Sequence, residues 1–132
     1  MRQIPVARPQ IGLAERRAVA RVLRSGQIAQ GKVVRQFEDE FSRFVGGREC
    51  VAVNSGTSGL HLALLAAGIG PGDEVIVPSF TFAATGNAVA LTGATPVFVD
   101  IREADYCMDP EATRAAISPR TAAIMPVHLY GH

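Results

Sequence analysis

The chain has 132 residues, of which 48% are hydrophobic and 19% charged, and its formal net charge is +1. These values are typical of a globular protein with one core, and they give no electrostatic basis for binding nucleic acid or an anionic membrane. The cysteines Cys50 and Cys107 are far apart and form no CxxC pattern, so neither a disulfide nor a metal framework is predicted. Without an apolar run as long as a signal-peptide core or a membrane span, the chain is expected in the cytoplasm.

The first part of the sequence predicts an amino-terminal arm followed by two helices. Apolar residues at helical spacing predict the first helix over residues 13–25 and the second over residues 33–45. A glycine ends each helix, at Gly26 and at Gly46. Residues 26–31 form the loop between the two helices.

From about residue 50 the sequence alternates between short apolar runs and helical segments. Continuously apolar strands separated by helices are typical of a parallel sheet that is covered on both faces. The predicted fold is therefore α/β, with three α/β/α layers and a mainly parallel sheet. The helix around Leu60–Leu65 is apolar nearly all round and is expected to be buried. The predicted strands are residues 51–53, 74–77, 96–100 and 122–127, and the other predicted helices are residues 82–92 and 110–117.

The strongest local motif is the run Asn54-Ser55-Gly56-Thr57-Ser58, which follows the first predicted strand and begins a helix. The start of a helix leaves backbone N–H groups unpaired, and small residues let a phosphate approach them. The three hydroxyl groups of this run are expected to add further donors. The same residue types are also favoured as helix caps without any ligand, and that alternative stays open at this point. The motif is neither GxGxxG nor a Walker A loop, which disfavours a Rossmann dinucleotide site.

A second candidate segment follows the strand at residues 74–77. Two aromatic residues, Phe80 and Phe82, occupy alternate positions there. We expect one ring to face the core and the other to lie against a planar ligand, although the sequence does not say which. Ligands of a parallel sheet bind beyond the carboxyl ends of its strands, and this segment occupies such a position.

Four stretches together resemble the DegT/DnrJ/EryC1/StrS aminotransferases. The order and spacing match those of the family over essentially the whole chain. Members are fold-type-I pyridoxal-phosphate enzymes that mostly make amino sugars on nucleotide carriers. The resemblance implies that residues 1–48 are an arm with two helices and that residues 49–132 are the first part of the large, cofactor-binding domain. The matching stretches are IPVARPQIG, SGQIAQGKVVRQFEDEFSRFVG, the run from Ala52 to Ile101, and IMPVHLYGH.

The resemblance also implies roles for individual residues, with pyridoxal 5'-phosphate as cofactor. Backbone N–H groups of Gly56, Thr57 and Ser58 would hold the cofactor phosphate. Ser55 would shape the turn, and Phe82 would stack on the pyridine ring. Residues expected near the substrate are Gln27 and Ile28, in the loop between the first two helices, and His128 and Tyr130, at the end of the last strand.

The implied reaction transfers an amino group, from glutamate, to a keto-sugar nucleotide, in an enzyme that is a homodimer at full length. In this family the Schiff-base lysine and the pyridine-partner aspartate come after the stretch present here, and Lys32 lies far too early to replace that lysine. We therefore assign no catalytic residue, and we expect the 132-residue chain to be inactive by itself. No metal site is predicted, because His128 and His132 need not share a face.

Two other interpretations remain open. Some relatives carry histidine in place of the lysine and dehydrate deoxysugars, and the residue that distinguishes them is not in this sequence. The chain could also be a non-catalytic fragment. A partial sheet would expose an edge and apolar faces, which favour association with a partner.

Overall fold

The computed structural model describes Pro5 and residues 7–132. The predicted arm lies partly outside the described residues, because residues 1–4 and Val6 are not among them. The chain divides into two units, one that ends at Ala52 and one that comprises residues 53–132. The boundary predicted from the sequence, between residues 48 and 49, lies close to this division. Among the helices of the described residues, none has both the length and the apolar composition that a membrane span needs.

Within its described residues, the first unit contains two helices, α1 (Leu13–Ser25) and α2 (Lys32–Phe44), which confirms both helix predictions. Gly26 ends α1 with a φ of 71°, and its N–H donates to the Leu23 carbonyl, as is common at helix ends. The aromatic rings of α2 contact one another in sequence, with centroid separations of 5.9 and 6.1 Å. No residue of either helix is buried, so the apolar faces of this unit are open.

The second unit is a three-stranded parallel sheet with its connecting helices. Strand β1 (Glu74–Pro78) lies between β2 (Thr95–Val99) and β3 (Thr121–Ile124), so the strand order is β2-β1-β3. Pro96 lies on an edge strand, where the missing N–H of proline does not break the ladder. The elements are α3 (Gly56–Ala66), β1 (Glu74–Pro78), α4 (Ala84–Leu91), β2 (Thr95–Val99), α5 (Pro110–Ala115), β3 (Thr121–Ile124) and a 3₁₀ turn (Leu129–Gly131).

The alternation of side chains along β1 separates two layers of packing. Val75 and Val77 are fully buried in a core with residues of α3 and α4, such as Leu64 and Val89. Ile76 points to the opposite face and is also fully buried. The crossovers from β1 to β2 and from β2 to β3 run in opposite directions, and right-handed crossovers therefore place α4 and α5 on opposite faces. The predicted three-layer parallel fold is confirmed.

The predicted strand at residues 51–53 is wrong. These residues form no strand, and Val51 is 78% exposed. An isolated apolar run satisfies its backbone groups in a sheet only when a neighbouring strand pairs with it. The three strands of the described chain pair only with one another, so residues 51–53 have no partner strand among the described residues.

The expectation that α3 is buried is also wrong. Leu64 is buried, but the side chains of Leu62 and Leu65 are about half exposed. One side of the helix meets the sheet and α4, and the described residues do not cover the other side. The helix is apolar all round because of its composition, but it is packed on one side.

A buried carboxylate joins the amino ends of β1 and β3. Glu74 accepts hydrogen bonds from the Ser118 hydroxyl and from the Arg120 guanidinium, and its own N–H donates to the Arg120 carbonyl at 2.8 Å. The Ser118 hydrogen bond, followed by the Arg120 contacts, lowers the pKa of Glu74 below the ordinary glutamate value. This cluster holds the start of β3 beside β1.

We expect Glu74→Gln to reduce the pH dependence of stability. A lowered pKa in the folded state means that the ionised carboxylate stabilises the fold above the unfolded-state pKa. That contribution is lost as the pH falls through the folded-state pKa. Urea unfolding at several acidic and neutral pH values should show that the free energy of unfolding falls less at acidic pH for Glu74→Gln than for the parent chain. Glu103→Gln, at an exposed position, is the control. The same decrease in the free energy of unfolding between neutral and acidic pH in the parent and in Glu74→Gln would contradict this role of Glu74.

Candidate functional site

The carboxyl ends of the three parallel strands form one edge of the sheet, and the amino end of α3 lies at that edge. Helix α3 has 11 residues and β1 has five, so both are about 16 Å long. The short turn between them, residues 67–73, reverses the chain direction. The start of α3 is therefore level with the end of β1, where ligands of a parallel sheet bind.

The first turn of α3 is held by a network of short polar side chains. The Ser55 Oγ accepts the Ser58 N–H at 3.1 Å, and the hydroxyls of Ser55 and Ser58 are 2.9 Å apart. The Ser58 hydroxyl donates to Asn54 Oδ1 at 2.8 Å. The expectation that the hydroxyls add free donors is therefore corrected for Ser55 and Ser58, because both are engaged within the turn. They fix the helix start, as a cap does. The Ser58 N–H, which was expected to hold the cofactor phosphate together with those of Gly56 and Thr57, donates to the Ser55 Oγ instead, so that expectation is corrected for Ser58.

The network leaves two backbone N–H groups at the start of α3 without an acceptor in the described chain, those of Gly56 and Thr57. Gly56 is exposed, and a Cβ atom on it would meet nothing within 4 Å. No acidic residue lies in the first turn of the helix. Open N–H groups at the positive end of a helix dipole form a site that can accept an anion such as a phosphate.

Phe82 lies at the same edge, two residues before α4 begins at Ala84. Its ring is 81% exposed, while its carbonyl accepts the Thr85 N–H at 3.0 Å. Phe80 is also half exposed and contacts Tyr106, with ring centroids 5.8 Å apart. The expectation that one of the two phenylalanines faces the core is wrong. The exposed ring of Phe82 offers an apolar face at the edge where the α3 amides are open.

Gln27 and Ile28 lie in the first unit, in the loop between α1 and α2. They line a pocket of about 420 Å³ together with the basic residues Lys32 and Arg35. Ile28 is 74% exposed. Lys32 is the first residue of α2 and is exposed, as expected for a helix start.

His128 and Tyr130 lie beyond the last strand, because β3 ends at Ile124 and not at the predicted residue 127. The Nδ1 atom of His128 contacts the backbone oxygen of His132 at 2.9 Å. Tyr130 is 95% exposed and has a φ of 50° within the 3₁₀ turn. Across the part of the chain that the structure describes, no three His, Cys, Asp or Glu side chains come together as metal ligands would.

Residues 9–132 match the model of the DegT/DnrJ/EryC1/StrS aminotransferase family. The chain belongs to this family. The match includes both units and every candidate residue at the edge of the sheet. The family assignment therefore agrees with the resemblance found in the sequence.

Curated relatives and a solved structure are similar to the chain over most of its length. It is 51% identical over 128 residues to the spore coat polysaccharide biosynthesis protein SpsC of Bacillus subtilis, a match that covers 97% of this chain and 33% of SpsC. It is 50% identical over 113 residues to a UDP-2-acetamido-2-deoxy-3-oxo-D-glucuronate aminotransferase of Pseudomonas aeruginosa. This match covers 86% of this chain and 32% of the relative. The crystal structure of NtdA from Bacillus subtilis with bound cofactor PMP superposes on the chain with a TM-score of 0.81 at 43% sequence identity. The superposition covers 87% of this chain and 26% of NtdA. The chain thus spans about a third of the length of the curated relatives.

Sequence reasoning missed one residue at this edge. Tyr106 contacts Phe80 and has a positive φ of 57°, which is unusual for a residue with a large side chain. A tyrosine in the sequence carries no signal of a left-handed backbone, and its partner is far away along the chain. Its position became evident only from the fold.

We expect Ser55→Ala to lower the free energy of unfolding by about 1 kcal/mol, because it removes the acceptor for the Ser58 N–H. Ser55→Thr keeps a hydroxyl at the cap and is the control. Thermal and urea unfolding measure the difference. Equal stability of the alanine variant and the parent would show that the Ser55 cap does not hold the start of α3.

Proposed function

We propose that residues 1–132 supply the phosphate-binding and ring-covering part of a pyridoxal-phosphate-dependent sugar aminotransferase. The observation that carries the proposal is the pair of open N–H groups of Gly56 and Thr57 at the start of α3. Family membership and the relative with bound PMP support pyridoxal 5'-phosphate or its amine form as the anion.

The residues at the sheet edge fit the chemistry of this cofactor. The amides of Gly56 and Thr57 would donate to its phosphate, and the Ser55 cap would keep them aligned. The exposed ring of Phe82 would cover one face of the pyridine ring and exclude water from it. When bound, the cofactor supplies an electron-accepting ring that takes up and releases an amino group.

The substrate assignment rests on the relatives. A UDP-linked 3-oxo sugar acid is named for the Pseudomonas relative and polysaccharide biosynthesis for SpsC. We propose a keto-sugar nucleotide as substrate, glutamate as amino donor and a homodimer as the full-length form. Gln27, Ile28, His128 and Tyr130 are the proposed substrate contacts, and the cytoplasm is the proposed location.

Amino transfer also needs a lysine and a carboxylate that the family resemblance places after residue 132. We therefore propose cofactor binding, and not turnover, for residues 1–132. The Pseudomonas relative is named as an aminotransferase and the matching family is an aminotransferase family, which favours this class over the dehydratases that the sequence left open.

Gly56→Asp should weaken cofactor binding at least about tenfold, because it adds a carboxylate beside the phosphate position. Gly56→Asn has the same size without the charge and is the matched control. Both side chains would enter open space, and an acidic residue suits the first turn of a helix, so the fold should tolerate the change.

Pyridoxamine 5'-phosphate is the better probe for this measurement, since it lacks the aldehyde that reacts with lysine. Calorimetric titration of the parent chain and both variants gives the affinities. Equal affinities of the aspartate and asparagine variants, or no binding by the parent, would overturn the proposed function.

A further inference from the structure

A hairpin follows β2 at the carboxyl end of that strand. It spans residues 100–109 and is closed by an antiparallel bridge between Ile101 and Met108. The N–H of Arg102 donates to the Cys107 carbonyl at 3.0 Å, and the N–H of Asp109 donates to the Asp100 carbonyl at 3.0 Å. The hairpin therefore has a defined register at the edge where β1 and β2 end.

The tip of the hairpin is held by several polar contacts. Asp105 accepts the Cys107 N–H at 3.0 Å and pairs with the Arg102 guanidinium. These two contacts, the N–H first, lower the pKa of the Asp105 carboxyl. The Tyr106 N–H donates to the Arg102 carbonyl at 2.8 Å. The contacts impose a left-handed backbone with a φ of 57° on Tyr106.

A left-handed backbone costs a tyrosine free energy, so this conformation persists only where the surrounding structure enforces it. Such strained positions concentrate at functional sites. Here the conformation places the Tyr106 ring against Phe80, with centroids 5.8 Å apart and planes tilted by 47°. This is an ordinary geometry for an attractive aromatic pair.

Phe80 belongs to the segment that presents Phe82. The segment is fixed at its start by the Ser79 N–H, which donates to the Val99 carbonyl at 2.8 Å, and near its end by the hydroxyls of Thr81 and Thr85, 2.8 Å apart. Between these two points, the contact with Tyr106 restrains Phe80. The ring of Phe82, two residues later, is 81% exposed.

We propose that Tyr106 is a positioning residue that holds Phe82 in place through Phe80. The inference rests on the proposed role of Phe82 as the cover of the cofactor ring. Tyr106 itself need not touch the ligand. Its ring restrains the segment after β1, so that Phe82 stands ready over the phosphate-binding end of α3 before the cofactor arrives.

The test uses the 132-residue chain and three variants. Tyr106→Asn removes the ring and suits a left-handed backbone, so the hairpin should keep its shape. Tyr106→Phe keeps the ring and removes only the hydroxyl. Phe82→Leu removes the proposed cover directly. Each protein is titrated with pyridoxamine 5'-phosphate and, separately, with inorganic phosphate. The ligand-free chains are also compared by ¹⁵N relaxation at Thr81 and Phe82.

Tyr106→Asn and Phe82→Leu should each weaken pyridoxamine 5'-phosphate binding about fivefold, the effect of losing one well-placed aromatic contact. Both variants should bind inorganic phosphate within about twofold of the parent, since the amides of α3 are unchanged. Tyr106→Phe should match the parent in every measurement. Without ligand, Tyr106→Asn should lower the backbone order parameter at Phe82 from about 0.85 to below about 0.6.

The proposal is overturned if Tyr106→Asn leaves both the affinity and the order parameter unchanged while Phe82→Leu still loses affinity. That result would leave the proposed function intact. The proposal for Tyr106 would also be overturned if Tyr106→Asn lost affinity equally for pyridoxamine 5'-phosphate and for inorganic phosphate, or if Tyr106→Phe lost affinity for pyridoxamine 5'-phosphate. Failure of the parent to bind pyridoxamine 5'-phosphate would refute the proposed function, and the order parameter would still decide whether Tyr106 restrains the segment.

Discussion

The proposed cofactor site depends on two backbone N–H groups that the start of α3 leaves unpaired among the described residues. A helix cannot satisfy its first amides internally, and the cap at Ser55 satisfies only the N–H of Ser58. The N–H groups of Gly56 and Thr57 therefore remain available, and the helix dipole makes them attractive to an anion. Small residues matter here because they leave the space in front of these groups open.

The parallel sheet determines which chain segments lie at the same edge as the start of α3. Because parallel strands all end at one edge, the segments after β1 and β2 lie at the same edge of the sheet as the start of α3. The first supplies Phe82 and the second the hairpin with Tyr106. The ion-paired Glu74 lies at the opposite end of β1 and secures the sheet without contacting the site.

The helices, the parallel sheet and the helix start that forms the candidate site could be predicted from the sequence because their signals are local. Apolar spacing defines α1 and α2, continuous apolar runs define β1, and small polar residues mark the start of α3. The false strand at residues 51–53 shows the limit of such signals, since a strand exists only where another strand pairs with it. The internal bonding of the Ser58 hydroxyl and the contact between Phe80 and Tyr106 depend on three-dimensional neighbours, which no sequence pattern encodes.

The central claim is tested most directly by following every backbone amide while the chain is titrated with pyridoxamine 5'-phosphate. In ¹H–¹⁵N correlation spectra, the account predicts the largest shifts at Gly56 and Thr57, with smaller shifts at Phe82. The basic pocket lined by Lys32 and Arg35 is the competing phosphate site in the described chain. Saturable shifts centred on that pocket, with Gly56 and Thr57 unmoved, would contradict the account.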